Sequence, residues 1–170
     1  MNCDDLRSYY AGSGGHDEWT RLATQPGAVE FAVNTDAIAR SLPPGSRVLD
    51  IGGGPGRYAI WLAARGHRVT LADLSPDLLD IAREQIAEAG VGALVEDIVE
   101  ADARDLARWP DGSFDAALSL GPFYHLPDQA DRERAAAELA RVLNAKARRP
   151  GLRGADAALR PAAAHAVPTR

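Results

Sequence analysis

The chain has 170 residues, 46% of them hydrophobic and 25% charged, proportions that suit one globular domain able to bury a sizeable core. A formal net charge of −5 disfavours electrostatic attraction to nucleic acid, and no apolar run has the length of a membrane span or the layout of a signal peptide, so a cytoplasmic protein acting on a small molecule is expected. A single cysteine excludes an internal disulfide, and with only four scattered histidines no metal site is expected.

Residues 1–45 read as an N-terminal helical cap. Tyr9-Tyr10-Ala11-Gly12-Ser13-Gly14-Gly15-His16 has the composition of an aromatic-bearing lid, and residues 17–22 form a short helix. The spacing predicts a longer helix over Gly27–Ser41 with Phe31, Ile38 and Leu42 on one face, stopped by Pro43-Pro44-Gly45.

Residues 46–144 carry the organised pattern. Val48-Leu49-Asp50-Ile51 is a short apolar run that ends near an acid and breaks into Gly52-Gly53-Gly54-Pro55-Gly56. Glycine lets the main chain approach a ligand closely, so Gly52, Gly54 and Gly56 suggest a loop wrapped around a cofactor. The helical spacing of Tyr58 to Arg65, stopped at Gly66, completes the opening of a βαβ unit. A second strand, His67 to Asp73, ends in an acid nineteen positions beyond Gly54, close to the roughly 20 expected of a ribose-binding carboxylate. Ser75-Pro76-Asp77 is a helix start, followed by a stripe of Leu78, Ile81, Ala82, Gln85 and Ile86 that Gly90 ends. A third strand is expected at Ile98–Ala101. The turn Asp111-Gly112-Ser113-Phe114-Asp115 leads to a fourth at Ala116–Leu120, and an amphipathic helix runs over Asp131–Leu143. The dinucleotide fingerprint G-x-G-x-x-G would need a glycine where Arg57 stands, which disfavours a nicotinamide cofactor.

The segment Asp50-Ile51-Gly52-Gly53-Gly54-Pro55-Gly56 resembles motif I of class I S-adenosylmethionine-dependent methyltransferases, an acid followed by G-x-G-x-G, and the resemblance extends from Arg47 to about Leu143. It implies an α/β fold with a Rossmann-like doubly wound parallel sheet of strand order 3-2-1-4-5-7-6, and S-adenosyl-L-methionine as cofactor. It also implies Asp50 near the ammonium, Asp73 on the ribose, Asp102 and Ala103 at the adenine, and further cofactor contacts at Leu74 and Ser119. Tyr9, Tyr10 and Tyr124 become candidate contacts to the acceptor, although aromatic residues at a chain end also serve simply to pack that end onto the core. His125, just after the fourth strand, is the best-placed base to remove a proton from the acceptor; a histidine in such a loop can equally be structural or solvent-facing. Leu120-Gly121-Pro122-Phe123 has the position of the family's Asn-Pro-Pro-Tyr box without its carboxamide, which disfavours methylation of planar amino groups.

Beyond residue 144 the pattern departs from the family. Residues 145–170 hold six Lys or Arg against one Asp, many alanines and no strand-like run, the composition of an alternative reading frame of a GC-rich gene and of a disordered tail. The expectation is a chain without the fifth to seventh strands, whose fourth strand is an exposed sheet edge prone to self-association. Two alternatives to methyl transfer stay open at this point. One is a truncated relative that only binds the cofactor or is unstable, and the other is an NAD-dependent oxidoreductase fragment.

Overall fold

The computed structural model describes residues 18–21 and 24–144. Tyr9, Tyr10 and the whole of residues 145–170 lie outside the described residues. Helix α1 spans Gln25–Ser41 and begins two residues before the expected start. Thr24 is its N-cap, accepting from the Gly27 amide at 3.4 Å, and Pro26 sits in the first turn where a missing N–H costs nothing.

Four strands follow, β1 (Arg47–Ile51), β2 (Arg68–Asp73), β3 (Val95–Glu100) and β4 (Ala116–Leu118), joined by α2 (Arg57–Ala63), α3 (Pro76–Glu88) and α4 (Gln129–Val142). Each strand runs parallel to its neighbours, in the order β3-β2-β1-β4. This is the Rossmann-like α/β fold that the sequence implied. Because β1 is flanked by β2 on one side and β4 on the other, the chain reverses its direction of travel across the sheet at the β1/β4 boundary. In open α/β sheets ligands bind beyond the carboxyl ends of the strands at such a switch point.

The alternation of β1 feeds two cores. Val48, with Val69 and Leu71 of β2, meets Tyr58, Ala59 and Leu62 of α2, Leu79, Ala82 and Ile86 of α3, and Phe31, Ile38 and Leu42 from the α1 region. Leu49 and Ile51 face the other way, onto Ala103, Leu106, Phe114 and the α4 residues Ala135 and Val142.

Two strands differ from expectation. β3 starts three residues earlier, at Val95, and its register against β2 shifts between Val69 and Thr70. Its acids disguised it: at a sheet edge Glu96 reaches solvent and pairs with Arg47 and Arg68, while Asp97 pairs with Arg108. β4 ends at Leu118, two residues short, because Gly121–Leu126 turns away through a 3-10 segment at Pro122–His125. After α4 the chain returns beside the strand entry, with the Phe114 amide donating to Val142 O at 3.0 Å and the Asn144 amide to Phe114 O at 2.9 Å.

Candidate functional site

β1 delivers the glycine turn to the carboxyl end of the sheet. The Gly52 amide donates to Ala72 O at 2.7 Å, tying the turn to β2. Gly52 has φ +70°, and a Cβ there would lie 2.3 Å from Pro122 Cγ. Gly53 has no unusual φ, yet a Cβ on it would meet Leu71 Cδ1 at 2.3 Å and Asp50 Oδ2 at 2.6 Å. The turn is bare main chain because there is no room for anything else.

Three acids lie around this turn. Asp50 is 2% exposed and its Oδ2 has no hydrogen-bond partner. Burial, reinforced by the neighbouring Asp73 carboxylate, pushes its carboxyl up to about 7. Asp73 is buried too, with Oδ2 accepting from the Gly54 amide at 2.8 Å and Oδ1 from the Ser75 amide at 2.9 Å. Burial raises its pKa, and the amides of Ser75, Gly54 and Leu74 oppose the rise. Asp102, at the end of β3, accepts from the Arg104 amide and guanidinium at 2.6–3.1 Å, and Arg104 continues to Asp131 of α4 at 2.6 Å. All three acids line one cavity of about 670 Å³, within the usual range for small-molecule sites. Its other walls include Gly52–Gly54, Leu74, Ala103 and the segment from Leu120 to Asp131.

Residues 48–146 match the family described as methyltransferase domain. The chain belongs to that family. It is a class I S-adenosylmethionine-dependent methyltransferase domain by descent, as the motif resemblance implied. The chain is 40% identical over 101 residues to a ubiquinone biosynthesis O-methyltransferase of Xanthomonas axonopodis pv. citri, a match covering 59% of this chain and 41% of that protein. It is 38% identical over 110 residues to methyltransferase GfsG of Streptomyces halstedii, covering 63% of this chain and 35% of that one. The chain thus spans about two-fifths of the length of the curated relatives it matches. Among solved structures, the PH0226 protein from Pyrococcus horikoshii shares the fold with a TM-score of 0.67 at 24% identity, covering 81% of this chain and 60% of that one.

In this methyltransferase domain the cavity gathers most of the positions singled out from sequence. Asp50, Gly52, Gly54, Asp73, Leu74, Asp102, Ala103 and His125 line it. Gly56, Ser119 and Tyr124 do not. Gly56 is the left-handed N-cap of α2, and a Cβ on it would meet Ala82 and Leu71 at 3.3–3.4 Å, so its task is to let α2 approach β2 and α3. The Ser119 hydroxyl is buried without a partner outside the cavity lining, because β4 ends before it. Tyr124 is 75% exposed on the 3-10 turn, which presents His125 to the cavity instead.

Sequence reasoning passed over Glu18, Arg21, Glu30, Arg57 and Tyr58, which also line the cavity. Arg21 bridges Glu18 and Glu30 at 2.9 and 2.8 Å, fastening residues 18–21 to α1. The signal for Arg57 was its adjacency to Gly56. No local signal could mark Glu18 or Glu30, because only the fold brings α1 to the turn. Among the described residues no helix is long and apolar enough to cross a membrane, and no group of three or more His, Cys, Asp or Glu is placed to hold a metal ion.

Proposed function

We propose that this chain performs S-adenosylmethionine-dependent methyl transfer to a small-molecule acceptor. The observation that carries the reading is the buried Asp50 carboxylate, whose Oδ2 lacks a donor beside a turn of main chain that excludes side chains. An uncompensated buried carboxylate is unfavourable, and a ligand ammonium supplies the missing donor and the missing charge together. The residues present therefore fit the cofactor.

Asp50 binds the ammonium, and Gly52 to Gly54 allow the methionine portion to lie against backbone. Asp73, already oriented by two amides, takes the ribose hydroxyls on its remaining lone pairs. Leu74 and Ala103 flank the base, and Asp102, fixed by Arg104, takes its exocyclic amine. The bound sulfonium supplies an activated methyl group, so the protein's main task is alignment of the acceptor. His125, on the cavity wall, is assigned the acceptor proton. The name of the Xanthomonas relative favours an oxygen atom as the methyl acceptor.

Calorimetry with S-adenosylhomocysteine and with NAD tests the cofactor. Binding of the first and not the second is expected, and binding of NAD, or of neither, would sink the proposal. Turnover of S-adenosylmethionine with a panel of phenolic acceptors then separates methyl transfer from cofactor binding alone.

A further inference from the structure

The walls assigned to the cofactor are the glycine turn and the three acids around it, which leaves the segment from Leu120 to Asp128 to face the acceptor. That segment lines the cavity with the apolar residues Leu120, Pro122, Leu126 and Pro127, and Leu120 is 39% exposed, so an apolar body that covers it is stabilised. Over residues 120–128 the sequence contains no Lys or Arg, and its one carboxylate is Asp128. Asp128 is the N-cap of α4, yet its side chain makes no capping hydrogen bond, unlike Ser75 at the start of α3. Among the described residues no Lys or Arg pairs with it. The nearest arginine in sequence, Arg132, lies outside the cavity lining, with Nη1 donating to Leu126 O and Pro127 O, both at 2.6 Å.

The charge of the whole cavity has the same sign. Among the described residues it is lined by seven carboxylates and three guanidiniums. Arg21 is committed to Glu18 and Glu30, Arg104 to Asp102 and Asp131, and Arg57 is stacked on Trp19, which lines a separate groove. On the acceptor wall no guanidinium or ammonium is available to an anion, and the one net positive charge of the bound cofactor is too little to reverse the sign. We infer that the site selects its acceptor by charge: a hydroxyl compound with an apolar body and an amine is preferred to a neutral one, a carboxylate is rejected, and Asp128 is the residue that reads the charge. The inference rests on the methyltransferase reading and deepens it by naming the class of acceptor. Discrimination comes as much from the repulsive side as from the attractive one, because an anion entering this wall loses hydration and finds no partner.

The test is calorimetry of the 170-residue chain, saturated with S-adenosylhomocysteine, against three probes that share a 4-hydroxyphenyl ring on a short chain: tyramine, tyrosol and 4-hydroxyphenylacetate. Affinity is expected to fall in that order, with tyramine about tenfold tighter than 4-hydroxyphenylacetate. Asp128→Asn, which keeps a good N-cap residue, is expected to cut that ratio at least about threefold. Raising the salt to about 0.5 M should shrink the wild-type ratio in the same direction, a readout that does not depend on the variant folding. Equal affinity for the three probes, a preference for the carboxylate, or binding of none of them to the loaded protein would overturn the inference. A ratio that Asp128→Asn leaves unaltered would overturn the assignment of Asp128. Failure to bind S-adenosylhomocysteine in the first place would overturn the cofactor reading itself, and is seen before any probe is added.

Discussion

Asp50 occupies a position that is unfavourable in the unliganded protein. Its carboxyl titrates at about 7 when folded against an ordinary value of 3.8, so between those values the folded state holds the extra proton and stability falls as pH rises. The interval corresponds to about 4 kcal/mol, lost progressively between pH 4 and 7 and flat above. Asp50→Asn removes that slope: thermal unfolding at pH 8 is expected to show a variant more stable than wild type that binds S-adenosylhomocysteine at least tenfold more weakly. Wild-type affinity for S-adenosylhomocysteine should rise as pH passes 7, because only ionised Asp50 attracts the ammonium, and calorimetry at pH 6 and 8 checks it. A variant that is neither more stable nor weaker in binding would show that the Asp50 charge is compensated within the protein. At Gly53 the constraint is volume: Gly53→Ala drives a methyl group into Leu71 and Asp50, and loss of ligand affinity with a lowered Tm is expected.

At the scale of elements, α4 is tied to the loop after β3 by a ladder of charged groups. Glu138 accepts from the Leu106 amide at 2.8 Å and pairs with Arg141, which also donates to the carbonyls of Leu106 and Trp109. Arg104 adds the link from Asp102 to Asp131. The loop carrying Asp102 and Ala103 is thus positioned by a helix distant in sequence. Asp131→Asn is expected to leave the fold intact and weaken S-adenosylhomocysteine a few-fold by loosening Arg104, whereas Arg141→Ala should lower Tm by uncoupling the loop from α4; thermal unfolding and calorimetry on the two variants distinguish the effects. The element boundaries show what sequence patterning can and cannot resolve. Ser75-Pro76 marked the start of α3 because capping is local, and Ser75 does cap it, accepting from the Leu78 amide. β3 was misplaced because its acids are those of an edge strand, and edge or centre is a property of the sheet.

Across the whole molecule, one sheet holds two cores together, with Phe114 1% exposed in one and Leu62 fully buried in the other. Phe114 also lies where the chain returns after α4, so Phe114→Ala is expected to cost about 3–5 kcal/mol, measured by urea unfolding, with loss of both the cavity and the α4 packing behind Ala135 and Val142. The sequence by itself determined the βαβ order, the glycine turn and the acids at three strand ends, because these are written in local periodicity, turn chemistry and spacing. It also marked His125. Only the tertiary structure decided which of those positions share a cavity. Gly56 is taken up by helix packing, Ser119 is left behind by a short β4, and Tyr124 is turned outward on a 3-10 segment. Glu18, Arg21 and Glu30 join the site because α1 and residues 18–21 fold back over the switch point. Long-range packing sets which side chains face one another across such a crevice, and no repeat or motif along the chain encodes that distance.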